Sequence, residues 1–110
     1  MTDTRVVLMT APDLSTAETI AAELVEARLA ACASILPGVT SVYWWQGEVQ
    51  RSSEVLVLIK TAADRVDALI DRAAELHPYE VSELIALPVE TGLAAYLDWV
   101  RAESRPLGSG

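Results

Sequence analysis

Cys32 is the only cysteine of this chain and His77 the only histidine, and the glutamates that follow the histidine most closely are Glu80 and Glu83. A thiolate, an imidazole and a carboxylate form a donor set that suits copper or zinc. The spacing does not bring Cys32 to His77, so the set is a candidate and not a motif. Each residue also has a purely structural role open to it. His77, in Leu76-His77-Pro78-Tyr79-Glu80, stands where a helix must stop, because proline disfavours the α conformation in its predecessor. An imidazole there can bond the last carbonyls or complement the helix dipole. Cys32 follows Ala30-Ala31 as a buried, inert thiol, or as a nucleophile whose proton Arg28 helps to release, with no base at recognisable spacing. Lys60 either meets an anion or a carboxylate, or carries its charge to solvent along its methylenes.

The elements that must position these residues can be read from periodicity. Val6 to Met9 is a short apolar run closed by Thr10-Ala11-Pro12-Asp13, which predicts a buried strand. Asp13 or Ser15 then caps a helix. Ser15 and Glu18 have capping-box spacing, and Ala17, Ile20, Ala21, Leu24 and Val25 recur on one face. Arg28 is placed in the last turn of that helix, where a cation suits the dipole. Pro37 predicts an edge, a bulge or a strand start, and Val39 to Trp45 is the strongest strand, turning back near Gly47. Gln50 to Ser53 form or flank the hairpin loop, and Glu54 to Lys60 reads as a returning strand buried on both faces. Thr61, with Asp64 three residues on, caps a second helix that ends at His77. Leu84 to Leu87 is a fourth strand whose end Pro88 places near an edge. A third helix opens at Thr91-Gly92, with Leu93, Tyr96, Leu97 and Val100 at helical spacing.

Strand, helix, strand, strand, helix, strand, helix predicts an α+β fold, a ferredoxin-like split βαβ sandwich with both central helices on one sheet face. The opposite face then lacks cover, and Tyr43, Trp44 and Trp45 need burial. A second subunit, helped by the third helix, supplies it. The composition agrees, since 52% hydrophobic residues in 110 is rich for one small domain and favours self-association. Residues 1–104 read as a single domain and residues 105–110 as a flexible tail.

A formal net charge of -8 disfavours nucleic acid and anionic membrane surfaces as partners. One cysteine excludes an internal disulfide framework and fits a reducing compartment. The first residues lack an apolar leader and no apolar run approaches a membrane span, so a cytoplasmic protein is expected. No phosphate loop, dinucleotide fingerprint, Ser/His/Asp arrangement or paired-cysteine zinc site is present. An enzyme would have to assemble its site from scattered residues, and a non-catalytic role is expected.

Arg28-Leu29-Ala30-Ala31-Cys32, Pro37-Gly38-Val39-Thr40-Ser41-Val42-Tyr43, Trp45-Gln46-Gly47, Lys60-Thr61, His77-Pro78-Tyr79-Glu80 and Tyr96-Leu97-Asp98-Trp99 occur in this order. Together they resemble the CutA divalent-cation tolerance family over residues 5 to 101. The resemblance implies a tight homotrimer, PII-like in architecture, with a long hairpin between its second and third strands and an extra C-terminal helix. It implies tolerance of and response to divalent metal, copper in particular, with Cu2+ or a related ion bound and no organic cofactor. Carried over by residue, the metal candidates are Cys32, His77 and Glu83. A cleft near a subunit boundary would hold Tyr43, Trp45, Lys60, Tyr79 and Glu80. Some members have a second cysteine where this chain has Met9, which is either a thioether donor or core. The alternative to a metal protein is a PII-like signalling module whose intersubunit cleft binds a small molecule or a partner protein; an intersubunit enzyme ranks lowest, and a plain scaffold, in which aromatic burial and trimer packing account for most of the motif, stays open beside them.

Overall fold

The computed structural model describes residues 1–108. Four strands and three helices follow one another as β1 (Thr4–Ala11), α1 (Leu14–Glu26), β2 (Cys32–Trp45), β3 (Glu48–Ala62), α2 (Val66–Leu76), β4 (Leu84–Pro88) and α3 (Ala94–Glu103). All strand pairs are antiparallel and the sheet order is β2-β3-β1-β4. That is the order a split βαβ sandwich requires, with β2 and β4 as free edges.

Alternation along the strands assigns the two faces. Val7, Met9 and Ala11 of β1 pair with Ile59, Val57 and Val55 of β3. These residues, with Ile20 and Leu24 of α1 and Leu69 and Ala73 of α2, form the buried core. Met9 is therefore core, wholly buried. The alternate residues, Leu8, Leu56 and Leu58, face the other way, where α3 covers one end only. Ile85 and Leu87, on that same face, remain 50% and 46% exposed.

The structure settles some local expectations and corrects others. Asp13 is the cap of α1, its carboxylate accepting from the Thr16 amide at 2.7 Å, and Ser15 lies inside the helix. Arg28 falls beyond the last turn, in the left-handed region at φ 59°, and its guanidinium bonds the Ala102 and Arg105 carbonyls and the Glu103 carboxylate at the end of α3. Thr61 caps no helix: it is a buried strand residue whose hydroxyl donates to the Leu29 carbonyl at 2.7 Å, and a 3-10 turn at Ala63–Arg65 precedes α2. Gln50 to Ser53 belong to β3, because Gln46 and Gly47, at φ 50° and 80°, alone make the turn. Two successive positive-φ residues match the right-handed twist of the flanking strands. Arg105, first residue of the expected tail, is tied to Asp64 at 2.6 Å; of that tail, residues 109 and 110 lie outside those described.

β2 does not start after Pro37 but runs through it on an irregularity. Leu36 pairs with Leu56 and Val39 with Glu54, so Pro37 and Gly38 together face one residue of β3. Gly38, at φ 84°, takes the conformation the bulge needs. The extra residue resets the alternation. Without it Tyr43 and Trp45 would point to the helix side; with it they share the face of Cys32, Ser34 and Leu36.

Candidate functional site

The hairpin of β2 and β3 outruns β1, and the segment from His77 to Glu83 crosses beside its base. Between them lies a cavity of about 620 Å³ lined by Tyr43, Trp45, Glu54, Tyr79, Glu80 and Glu83, with Thr10, Ser41, Val42, Ser52 and Val81 completing the wall. This volume is in the range of small-metabolite sites.

His77 fixes one wall. It is 7% exposed, its Nε2 lies 2.7 Å from the Thr10 carbonyl, and its Nδ1 accepts the Tyr79 amide at 3.1 Å. A carbonyl only accepts, so Nε2 carries the proton and the ring is the neutral tautomer. Both nitrogens are spent on holding the segment after α2 against β1. The helix-end reading of His77 is the one the structure realises.

Tyr79 is aimed by that bond. Its hydroxyl donates to Glu54 Oε2 at 2.9 Å, and its ring lies 4.7 Å from that of His77. Burial and the Glu54 carboxylate push the phenol up to about 12, because both disfavour a second negative charge there. Glu54 itself is 7% exposed. Its role was missed in the sequence because it looked like the polar start of a strand. The signal that could have found it is a glutamate immediately before a buried apolar run, in alternation with Leu56 and Leu58 on the face opposite the core. Ser52, also missed, donates to the Tyr43 hydroxyl at 3.2 Å.

Cys32 and Lys60 are elsewhere. They are cross-strand partners at the far end of the same face. Cys32 Sγ lies 3.5 Å from the Tyr96 hydroxyl of α3, and Lys60 Nζ donates to Ser34 Oγ at 2.7 Å. The contact with Cys32, followed by burial, raises the Tyr96 phenol. Thr10, which holds His77, pairs with Leu56, four residues along β3 from Lys60, a separation of roughly 13 Å at the rise of a strand. The expected convergence of Cys32, His77 and Glu83 therefore does not occur within one chain. Among the described residues no three Cys, His, Asp or Glu side chains converge as a metal-binding group. The donors of a single chain do not fit a metal ion by themselves. The expected cleft divides in two: Tyr43, Trp45, Tyr79, Glu80 and Glu83 around the cavity, and Cys32 with Lys60 at the other end.

Against known proteins, residues 5–103 match the family model described as CutA1 divalent ion tolerance protein. The chain is 52% identical over 96 residues to the divalent-cation tolerance protein CutA of Thermus thermophilus, covering 87% of this chain and 93% of that one. It is 50% identical over 93 residues to human Protein CutA, covering 84% of this chain but 52% of the human one. Among solved structures, CutA of Xylella fastidiosa superposes with a TM-score of 0.92 at 45% identity, covering 94% of this chain and all of that one (100%). A protein of Archaeoglobus fulgidus named as a periplasmic divalent cation tolerance protein superposes at 0.90 with 33% identity, covering 93% of this chain and 99% of that one.

Proposed function

This chain belongs to the CutA1 divalent ion tolerance protein family, and from that premise we propose that it is a non-catalytic, cytoplasmic protein of divalent-cation tolerance, with copper foremost, working as a PII-like homotrimer. The observation that carries the assembly is the uncovered apolar face. Leu36, Ile85 and Leu87 are 45%, 50% and 46% exposed beside free edges, and the hairpin carries Tyr43 and Trp45 on one side and Val42, Trp44 and Val49 on the other, all exposed. A strand pair apolar on both faces is a segment made for insertion between surfaces.

The metal is cargo, and its site draws on more than one copy. Cys32 is its softest donor and gives copper its preference, while His77 is committed to the fold. Titration with Cu(II) and Zn(II) tests this: Cys32→Ala weakens copper binding and His77→Ala spares it. Indistinguishable weak binding by the wild type and both variants overturns the metal assignment.

The cavity at Tyr79 favours a second reading, in which the protein is a PII-like module that takes a small molecule in its cleft. Thermal stabilisation by a metabolite that persists with chelator present separates this reading from the first.

A further inference from the structure

From the cleft, and resting on its reading as a ligand site, we infer that its ligand is an aliphatic di- or polyamine. Among the described residues every ionisable carboxyl on its wall is a glutamate, Glu54 within and the exposed Glu80 and Glu83 at the rim, and no lysine, arginine or histidine joins them. Glu54 is more than nine-tenths buried. Its Oε2 accepts from Tyr79, while Oε1 has no donor among the described residues. Oε1 opens onto the cavity that Glu54 lines, where a cation carrying N–H donors can reach it.

The chain's own cations do not answer. Lys60, the only lysine, is held by Ser34. Arg28, Arg72, Arg101 and Arg105 are ion-paired, and Arg5 and Arg65 bond backbone carbonyls. Arg51 has no partner among the described residues, but as the neighbour of Ser52 it points to the other side of the hairpin.

A point charge is a poor match as well. The three glutamates do not converge as a metal-binding group, which suits positive charges spread along a chain. Tyr43 and Trp45 line the same cavity, and aromatic rings suit methylenes and an ammonium. An anionic nucleotide, by contrast, would meet carboxylates and no cation. One ammonium bonds Glu54 Oε1 inside, and a second lies toward Glu80 and Glu83.

The test is calorimetric titration of the full chain with spermidine in the presence of EDTA, with butylamine and ATP as controls. Spermidine is expected to saturate at one per chain, butylamine to bind more weakly and ATP not at all. Glu54→Gln, which keeps an acceptor for Tyr79, is expected to weaken spermidine at least about tenfold, the loss of one charge-assisted hydrogen bond. Equal affinity in wild type and Glu54→Gln overturns the inference, because the amine then sits on the acidic surface at large. ATP binding with spermidine silent overturns the cationic class while leaving a ligand cleft. Silence of all three overturns both.

Discussion

The Nε2 of His77 donates to the Thr10 carbonyl over 2.7 Å, across the gap between the end of α2 and the end of β1. With Nδ1 accepting the Tyr79 amide, the sole imidazole staples the start of the 77–83 segment to the sheet and sets the angle at which Tyr79 meets Glu54. His77→Ala leaves a carbonyl and an amide without partners and is expected to cost about 2 to 4 kcal/mol in urea unfolding. Copper affinity should be unchanged, since neither nitrogen is free to coordinate.

Tyr79 titrates late. Its phenol is raised to about 12 by burial and by Glu54, against about 10 in an unfolded chain. A raised folded value contributes stability that is fully present below about pH 10 and is lost as pH rises through about 12. The tyrosinate absorbance should therefore show late ionisation of two phenols, Tyr79 and Tyr96, of which Tyr79→Phe removes one, and the alkaline loss of stability should be shallower in that variant.

The acid limb reports on Asp13. Its carboxyl is held below the usual range by the Thr16 amide it caps. A depressed folded value gives stability that is present above about pH 4 and lost as pH falls through the folded value. Asp13→Asn keeps an acceptor for the cap and should flatten the decline of the urea midpoint below pH 4 without unfolding α1 at neutrality. An unchanged acid limb in Asp13→Asn would remove Asp13 from its cause.

Gly38 holds the bulge at φ 84°, and a Cβ built there meets nothing within 4 Å. The cost of Gly38→Ala is then purely conformational, about 1 to 2 kcal/mol for a left-handed L-residue. Gly38→Asn should recover part of it, because asparagine tolerates that region better. Equal urea midpoints for all three chains would contradict the backbone assignment.

What the sequence disclosed about this fold follows from what a pattern can carry. The element order and the uncovered sheet face were legible because apolar periodicity reports directly on one face or two. The helix end at His77 was legible from Pro78. Thr61 and Asp64 mimicked a cap, but burial against Leu29 outweighed local capping chemistry. The bulge at Pro37 and Gly38 was foreseen as one of three options. Its consequence, which face receives Tyr43 and Trp45, depends on a single residue of register. The separation of Cys32 from His77 was not legible, because it is set by pairing between Cys32 and Lys60 and between Thr10 and Leu56, which no local spacing encodes. Glu54 was hidden for the same reason: its hydrogen-bond partner, Tyr79, is 25 positions away.

The most direct measurement joins assembly to cargo, using Leu87→Glu, which places a charge on the uncovered face where Leu87 is 46% exposed in the single chain and is expected to dissociate the proposed trimer. Molar mass by light scattering is followed alongside a Cu(II) titration of the same samples. A metal site built between copies predicts a trimeric wild type that binds copper, and a monomeric, folded Leu87→Glu chain whose affinity falls at least about tenfold, or about 1.4 kcal/mol. A monomeric wild type, or a monomeric variant that binds copper as tightly as the wild type, would contradict it.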